Sequence, residues 1–148
     1  MVDAVVLGAT EVDLNFNANV VTHSDGRLMH GIGGWQNCLA AGCTILAVPS
    51  FRDRIPVIVD EVTTLCGPGE MIDVVVTERG IAINPRREDL MTAVRGSKLP
   101  IRPLDEIKKE VERICGGKPQ RRSRGDKPVA VVKWVDGTVL DTIWQLPA

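Results

Sequence analysis

Residues 31–48 read GIGGWQNCLAAGCTILAV. Three glycines in four positions, Gly31, Gly33 and Gly34, lead into a run of helix formers from Trp35 to Ala41. That run gives way to an apolar stretch from Thr44 to Val48, and the Val-rich run Ala18 to Thr22 lies upstream. The order is therefore strand, glycine turn, helix, strand. A helix between two strands is the crossover that parallel neighbours need. Further apolar runs bounded by Gly, Pro, Asn and Asp extend the pattern at Ala4 to Leu7, Val74 to Thr77 and Ile81 to Ile83. Helix formers occupy Glu88 to Arg95, and Leu104 to Ile114 places apolar residues at 104, 107, 111 and 114 with Glu and Lys between them, an amphipathic helix. Pro103 suits its start, Asp105 and Glu106 favour the positive end of its dipole, and Gly116-Gly117 closes it. The predicted fold is α/β: an open, mostly parallel twisted sheet with helices on both faces. At the end of the chain, Val129 to Val135 and Thr138 to Leu146 flank Asp136-Gly137, the signature of a β-hairpin. Residues 118–127, which include the polar run PQRRSRGDK, read as an exposed connector to that hairpin, within one domain spanning 1–148.

Composition narrows the function classes. The 148 residues carry 18 Lys plus Arg against 19 Asp plus Glu, a net charge of -1, which excludes a general polyanion binder. With 44% apolar and 25% charged residues the chain has an ordinary globular mix. Aromatics make up 3%, with no Tyr, too few for a base-stacking platform on nucleic acid. The longest apolar runs fall far below the roughly 18 residues of a membrane span, and Asp3 and Gly8 spoil a signal-peptide reading of the N-terminus, so a cytoplasmic home is expected. Cys38, Cys43, Cys66 and Cys115 match neither a zinc ribbon nor a CxxC pair and are expected as reduced thiols. His23 and His30 lack a nearby third and fourth ligand, so no metal site is expected.

Three segments can carry chemistry. The turn at Gly31, Gly33 and Gly34 lets the backbone adopt positive φ and brings main-chain N–H groups close to a phosphate or a developing thioester oxyanion. Phe51-Arg52-Asp53-Arg54-Ile55-Pro56 follows the strand Thr44 to Val48 at its carboxyl end, where ligands sit in open α/β sheets, and a guanidinium fork matches a carboxylate. In Thr77-Glu78-Arg79-Gly80, Glu78 is a candidate general base.

The segments VDAVVLGATEVD (2–13), NANVVTHSDG (17–26), GIGGWQNCLAAG (31–42), RDRIPVIVDEVTT (52–64), PGEMIDVVVTERGIAINPRREDL (68–90) and VAVVKWVDGTVLD (129–141) resemble, in order and over nearly the whole chain, the citrate lyase alpha subunit family. The shorter set of GxGG, a strand and TExG is similar to the wider coenzyme A transferase and hydrolase superfamily. The resemblance implies an acyl exchange in which citrate displaces acetate from a thioester on an acyl carrier protein. The arm that carries the acyl group is a dephospho-coenzyme A derivative, or coenzyme A itself, acting as substrate; no tightly bound cofactor is expected. It further implies a mixed anhydride between the two acids. On that reading Gly31, Gly33 and Gly34 approach the thioester carbonyl, Asn19 with Gly33 and Gly34 contacts the pantetheine arm, and Arg52, Arg54 or Arg79 clamps citrate.

Asn37 stands where the family commonly has Asp. The likeness covers roughly the C-terminal third of such a subunit, so the expected partners are the N-terminal part of the subunit, the acyl carrier protein and the lyase subunits in an oligomer, and the isolated chain is expected to be inactive. Two other readings stay open: the C-terminal part of a coenzyme A transferase or acyl-CoA hydrolase acting on another acid, and a non-catalytic docking subunit.

Overall fold

The alternation of buried and half-exposed residues along Cys43–Ala47 and Val74–Thr77 is the period-two pattern of strands that cover a core with one face. The protein is described here by a computed structural model covering residues 2–147. In chain order the elements are β1 (Ala4–Leu7), β2 (Glu11–Asp13), β3 (Ala18–Asn19), α1 (Trp35–Cys38), β4 (Cys43–Ala47), β5 (Phe51–Arg52), β6 (Ile55–Pro56), β7 (Ile58–Val59), a 3-10 turn (Gly69–Met71), β8 (Val74–Thr77), β9 (Gly80–Ile83), α2 (Glu88–Ala93), α3 (Leu104–Cys115), β10 (Pro128–Lys133) and β11 (Val139–Trp144).

The main sheet has the order β1-β4-β8-β9, parallel at the first two pairings and antiparallel at the last. In its register Leu7, Leu46, Val75 and Ala82 stand side by side, and the last three are almost wholly buried. A second sheet, β3-β2-β7, and two hairpins, β5-β6 and β10-β11, complete the strands. One apolar cluster runs from Ala9 through Val12, Leu46, Ile58, Val75, Ile107 and Val111 to Ile143, so the small sheets and the main sheet share a core.

The α/β character holds, but the helical layers do not. The crossover from β1 to β4 consists of β2, β3, the glycine turn and a helix of four residues; the crossover from β4 to β8 is built from β5, β6, β7 and the 3-10 turn. The helix expected over Trp35 to Ala41 ends at Cys38, because the chain tightens into i→i+3 bonds from Leu39 to Gln36 and from Ala41 to Cys38. The strand expected over Ala18 to Thr22 stops after Asn19 for a local reason. The Asn19 side-chain oxygen accepts the amides of Val21 (3.2 Å) and Thr22 (3.1 Å), which a ladder would otherwise use, and the chain bends.

α3 follows its sequence pattern. Leu104, Ile107 and Val111 are buried against β6, β7 and β9, and Gly116 caps the helix in the left-handed region at φ 87°. Lys108, on the same buried side, is neutralised by Asp60 and Glu112, each at 2.7 Å. The terminal hairpin turns through Asp136-Gly137, with Gly137 at φ 90° and Trp134 donating to the Thr138 carbonyl at 2.7 Å. Residues 118–127 form no helix or strand and are mostly exposed.

Candidate functional site

β1 ends at Leu7, and beyond its carboxyl end Gly8, Ala9 and Thr10 form the floor of a cavity of about 430 Å³. Its remaining walls come from His30, Ile32 and Trp35 in and beside the glycine turn, from Ile55 to Val57, from His23 and Ser24, and from Arg52. Two of these walls are bonded directly to the floor. The Trp35 indole N–H donates to the Gly8 carbonyl at 2.9 Å. Arg52 reaches across from β5, its Nη2 donating to the Ala9 carbonyl at 2.9 Å and its Nη1 to the Thr10 carbonyl at 3.4 Å. The Thr10 hydroxyl lies 2.9 Å from the Asn19 carbonyl and 2.8 Å from that of Thr22, which ties the floor to β3. Apart from Arg52, the side chains that line the space are largely apolar, the usual character of a small-molecule site.

The glycine turn stands at the edge of this cavity. Gly31, Gly33 and Gly34 are exposed, Gly33 lies in the left-handed region at φ 58°, and a Cβ built on any of the three would meet nothing within 4 Å. Among the described residues, no acceptor receives a hydrogen bond from the amides of Gly31, Ile32, Gly33 or Gly34. Ile32 and Trp35 belong to the cavity wall, whereas the glycines flank it. α1 is too short to lend a helix dipole, so what the turn offers is its free amides.

The other expected residues are dispersed. Asn19 is wholly buried: its amide nitrogen donates to Glu11 Oε2 (2.9 Å) and to the Thr22 hydroxyl (2.8 Å) and its oxygen holds two amides, so its hydrogen bonds hold the floor and none is left for an arm in the cavity. Arg54, at φ 62°, donates to the Ile114 carbonyl at 3.1 Å, at the C-terminal end of α3, beside a second cavity of about 410 Å³. Arg79 pairs with Glu110 at 2.9 Å, bonds the Ser50 hydroxyl at 3.1 Å and lies over the Phe51 ring. Of the three arginines, only Arg52 faces the first cavity. Glu78 receives the Ser50 amide at 2.9 Å and the Ser50 hydroxyl; burial pushes its carboxyl up, but the Ser50 bonds outweigh this and hold it below the usual glutamate range, a state that suits an ion-pair anchor better than a proton acceptor. Cys66 is buried, and burial pushes its thiol up to about 11, so it is inert. Among the described residues no group of three or more His, Cys, Asp or Glu side chains is placed to hold a metal, and no helix is long and apolar enough to cross a membrane.

The family model described as "Citrate lyase, alpha subunit (CitF)" matches residues 1–146. The chain belongs to the citrate lyase alpha subunit family. It is 41% identical over 145 residues to a citrate lyase alpha chain of Klebsiella pneumoniae, covering 97% of this chain and 28% of that one. It is 40% identical to the corresponding chain of Haemophilus influenzae, covering 97% of this chain and 29% of that one. A solved structure described as the alpha subunit of citrate lyase from Streptococcus mutans, in complex with citrate, superposes with a TM-score of 0.95 at 42% identity, covering 99% of this chain and 29% of that one. The chain thus spans less than a third of the length of these citrate lyase relatives.

Residues 8–10 and Val57 are not singled out by the sequence, and His23 is weighed there only as a metal ligand, whereas Ile55 and Pro56 fall in the candidate segment Phe51 to Pro56. The signal was present for residues 8–10: the rule that ligands gather beyond the carboxyl ends of strands applies to β1, which Gly8 terminates, as much as to β4.

Proposed function

We propose that this chain forms part of a transferase site that exchanges citrate for acetate on an acyl-carrier-protein thioester. The observation that carries the reading is the pairing of Arg52, the one arginine among the described residues on a largely apolar cavity wall, with a neighbouring glycine turn whose amides have no acceptor among the described residues. A carboxylate of citrate meets the guanidinium, which already spends two of its donors on Ala9 and Thr10 and is held in place by them. Another citrate carboxylate attacks the acetyl carbonyl; the carrier's thiolate leaves, and a citryl–acetyl anhydride forms. The thiolate then attacks the citryl carbonyl and releases acetate, so the thioester is conserved. In both steps the carbonyl oxygen gains negative charge, which amides from Gly33 and Gly34 stabilise without reorganisation. The citrate seen in the Streptococcus mutans relative supports the choice of acid.

The carrier's dephospho-coenzyme A-type arm, or coenzyme A, enters as substrate. The remainder of the subunit, the carrier protein and the lyase subunits complete the assembly in a cytoplasmic oligomer, and the chain alone does not turn over; the length of the relatives supports this part of the reading. The test is exchange of labelled acetate from the acetyl carrier by a citrate lyase assembled with this chain. Arg52→Ala is expected to raise the citrate concentration for half-maximal rate at least tenfold, and an unchanged citrate dependence would overturn the role of the cavity.

A further inference from the structure

The cavity wall holds a histidine that this exchange does not use. His23 opens a tight turn in which its amide donates to the Arg27 carbonyl at 2.8 Å and Gly26 donates to the His23 carbonyl at 2.9 Å. Its Nδ1 lies 3.3 Å from Asp25 Oδ1, and the Asp25 amide lies 3.5 Å from the same nitrogen. A lone pair on Nδ1 would accept that distant amide but would face the carboxylate's charge at the shorter range. The proton therefore belongs on Nδ1, shared with Asp25, and Nε2 is left as an acceptor. Asp25 is itself fixed in the charged form. The Arg27 amide at 3.0 Å, with lesser help from the Arg27 and Arg122 guanidinium groups, overcomes burial and keeps its carboxyl below the usual range.

Side-chain acceptors held in a fixed orientation are few on this wall. The Trp35 N–H is spent on Gly8 and Arg52 only donates, while the Thr10 hydroxyl gives its one proton to backbone carbonyls and keeps only its oxygen lone pairs, down on the floor. Besides Ser24, which is buried, the remaining polar side chain is His30, whose Nδ1 donates to the Gly31 carbonyl at 2.9 Å and whose Nε2 is also an acceptor; its ring is exposed, whereas that of His23 is half-buried and held by a carboxylate.

We infer that His23 Nε2 accepts a hydrogen bond from the hydroxyl of a hydroxy-carboxylate held by Arg52, so that the His23–Asp25 pair selects a hydroxy acid over the same acid without its hydroxyl. This rests on the cavity being the acid site proposed above. A site built to bond a hydroxyl leaves a polar group unpaired when the analogue lacks one, and discriminates on that account. Asp25 acts as a positioning residue, since it fixes which ring nitrogen carries the proton.

The test is calorimetric titration of a citrate lyase assembled with this chain, without acetyl carrier, with citrate and with propane-1,2,3-tricarboxylate, which has the same three carboxylates and no hydroxyl. The wild type is expected to prefer citrate by about tenfold, the scale of one buried hydrogen bond. His23→Ala should abolish the preference by weakening citrate alone. His23→Gln, whose side-chain oxygen reaches a similar place, should restore part of it. Asp25→Asn, which moves the proton to Nε2, should lose it while the ring remains, and nitrogen-15 imidazole spectra read that proton directly. A preference that survives His23→Ala, or that disappears only in His30→Ala, overturns the inference and leaves the cavity reading intact. Binding of neither acid by the wild-type assembly removes both.

Discussion

The Trp35 ring lies across Gly67 so closely that a Cβ on Gly67 would stand 2.5 Å from ring carbon Cζ3. The backbone at Gly67 cannot retreat, since it exchanges hydrogen bonds with Ala18 at 2.9 and 3.0 Å. Gly67→Ala is therefore expected to push the ring off the Gly8 carbonyl, open the cavity wall at Trp35 and cost about 1–3 kcal/mol, the usual penalty of overpacking. Urea unfolding and a red shift of tryptophan emission check this; an unshifted midpoint would show that the ring has room to move.

Gly33 behaves differently. Its φ of 58° suits glycine, yet a Cβ there meets open space. Gly33→Ala should cost only about 1 kcal/mol, from the left-handed backbone, while lowering kcat for acyl exchange by a larger factor than the stability loss explains. Equal kcat in the two proteins would exclude the turn from the chemistry.

Arg79 separates structure from substrate binding. Both it and Glu110 are three-quarters shielded from solvent, and together they tie the β8-β9 turn to α3. Arg79→Ala should lower stability by about 1 kcal/mol and leave the citrate dependence of the assembled enzyme as it was. A raised citrate requirement would bring Arg79 back to the acid site.

Acid sensitivity should be traceable in part to Asp60. Hydrogen bonds from Lys108, and next from Lys118, lower its carboxyl from 3.8 to about 2. A depressed folded-state value means that the stabilisation is present above pH 4 and is lost as pH falls from there toward 2. Asp60 is half exposed, so solvent screening limits the effect to a few tenths of a kcal/mol. Asp60→Asn should flatten the pH dependence of the urea midpoint across that interval; an identical slope in both proteins would contradict the pairing.

How legible all this was depends on the range of the interactions concerned. α3 and the Asp136-Gly137 turn could be read directly, because an apolar spacing, a glycine cap and a two-residue turn are local signals. The short strands β2, β5, β6 and β7 could not. Val12 and Ile58 pair across the chain with two or three residues per strand, too few to show a period. Asn19 looked like a ligand contact and proved to be a buried brace, since its partners Glu11 and Thr22 are matched to it only by the fold. Arg52 and Arg54 are separated by one residue in sequence, yet the left-handed backbone at Asp53 and Arg54 turns them toward different cavities.

Because the crossovers are made of short strands, the first pairing of the main sheet joins Ala4 to Cys43 and Leu7 to Leu46 with no long helix to stiffen the route. Such a topology folds slowly, on the scale of milliseconds to seconds, and the cavity beyond β1 comes into being only when that closure is complete. Any ligand that settles there stabilises the whole cooperative unit rather than one mobile loop, and its affinity will be readable as a shift in the global melting temperature.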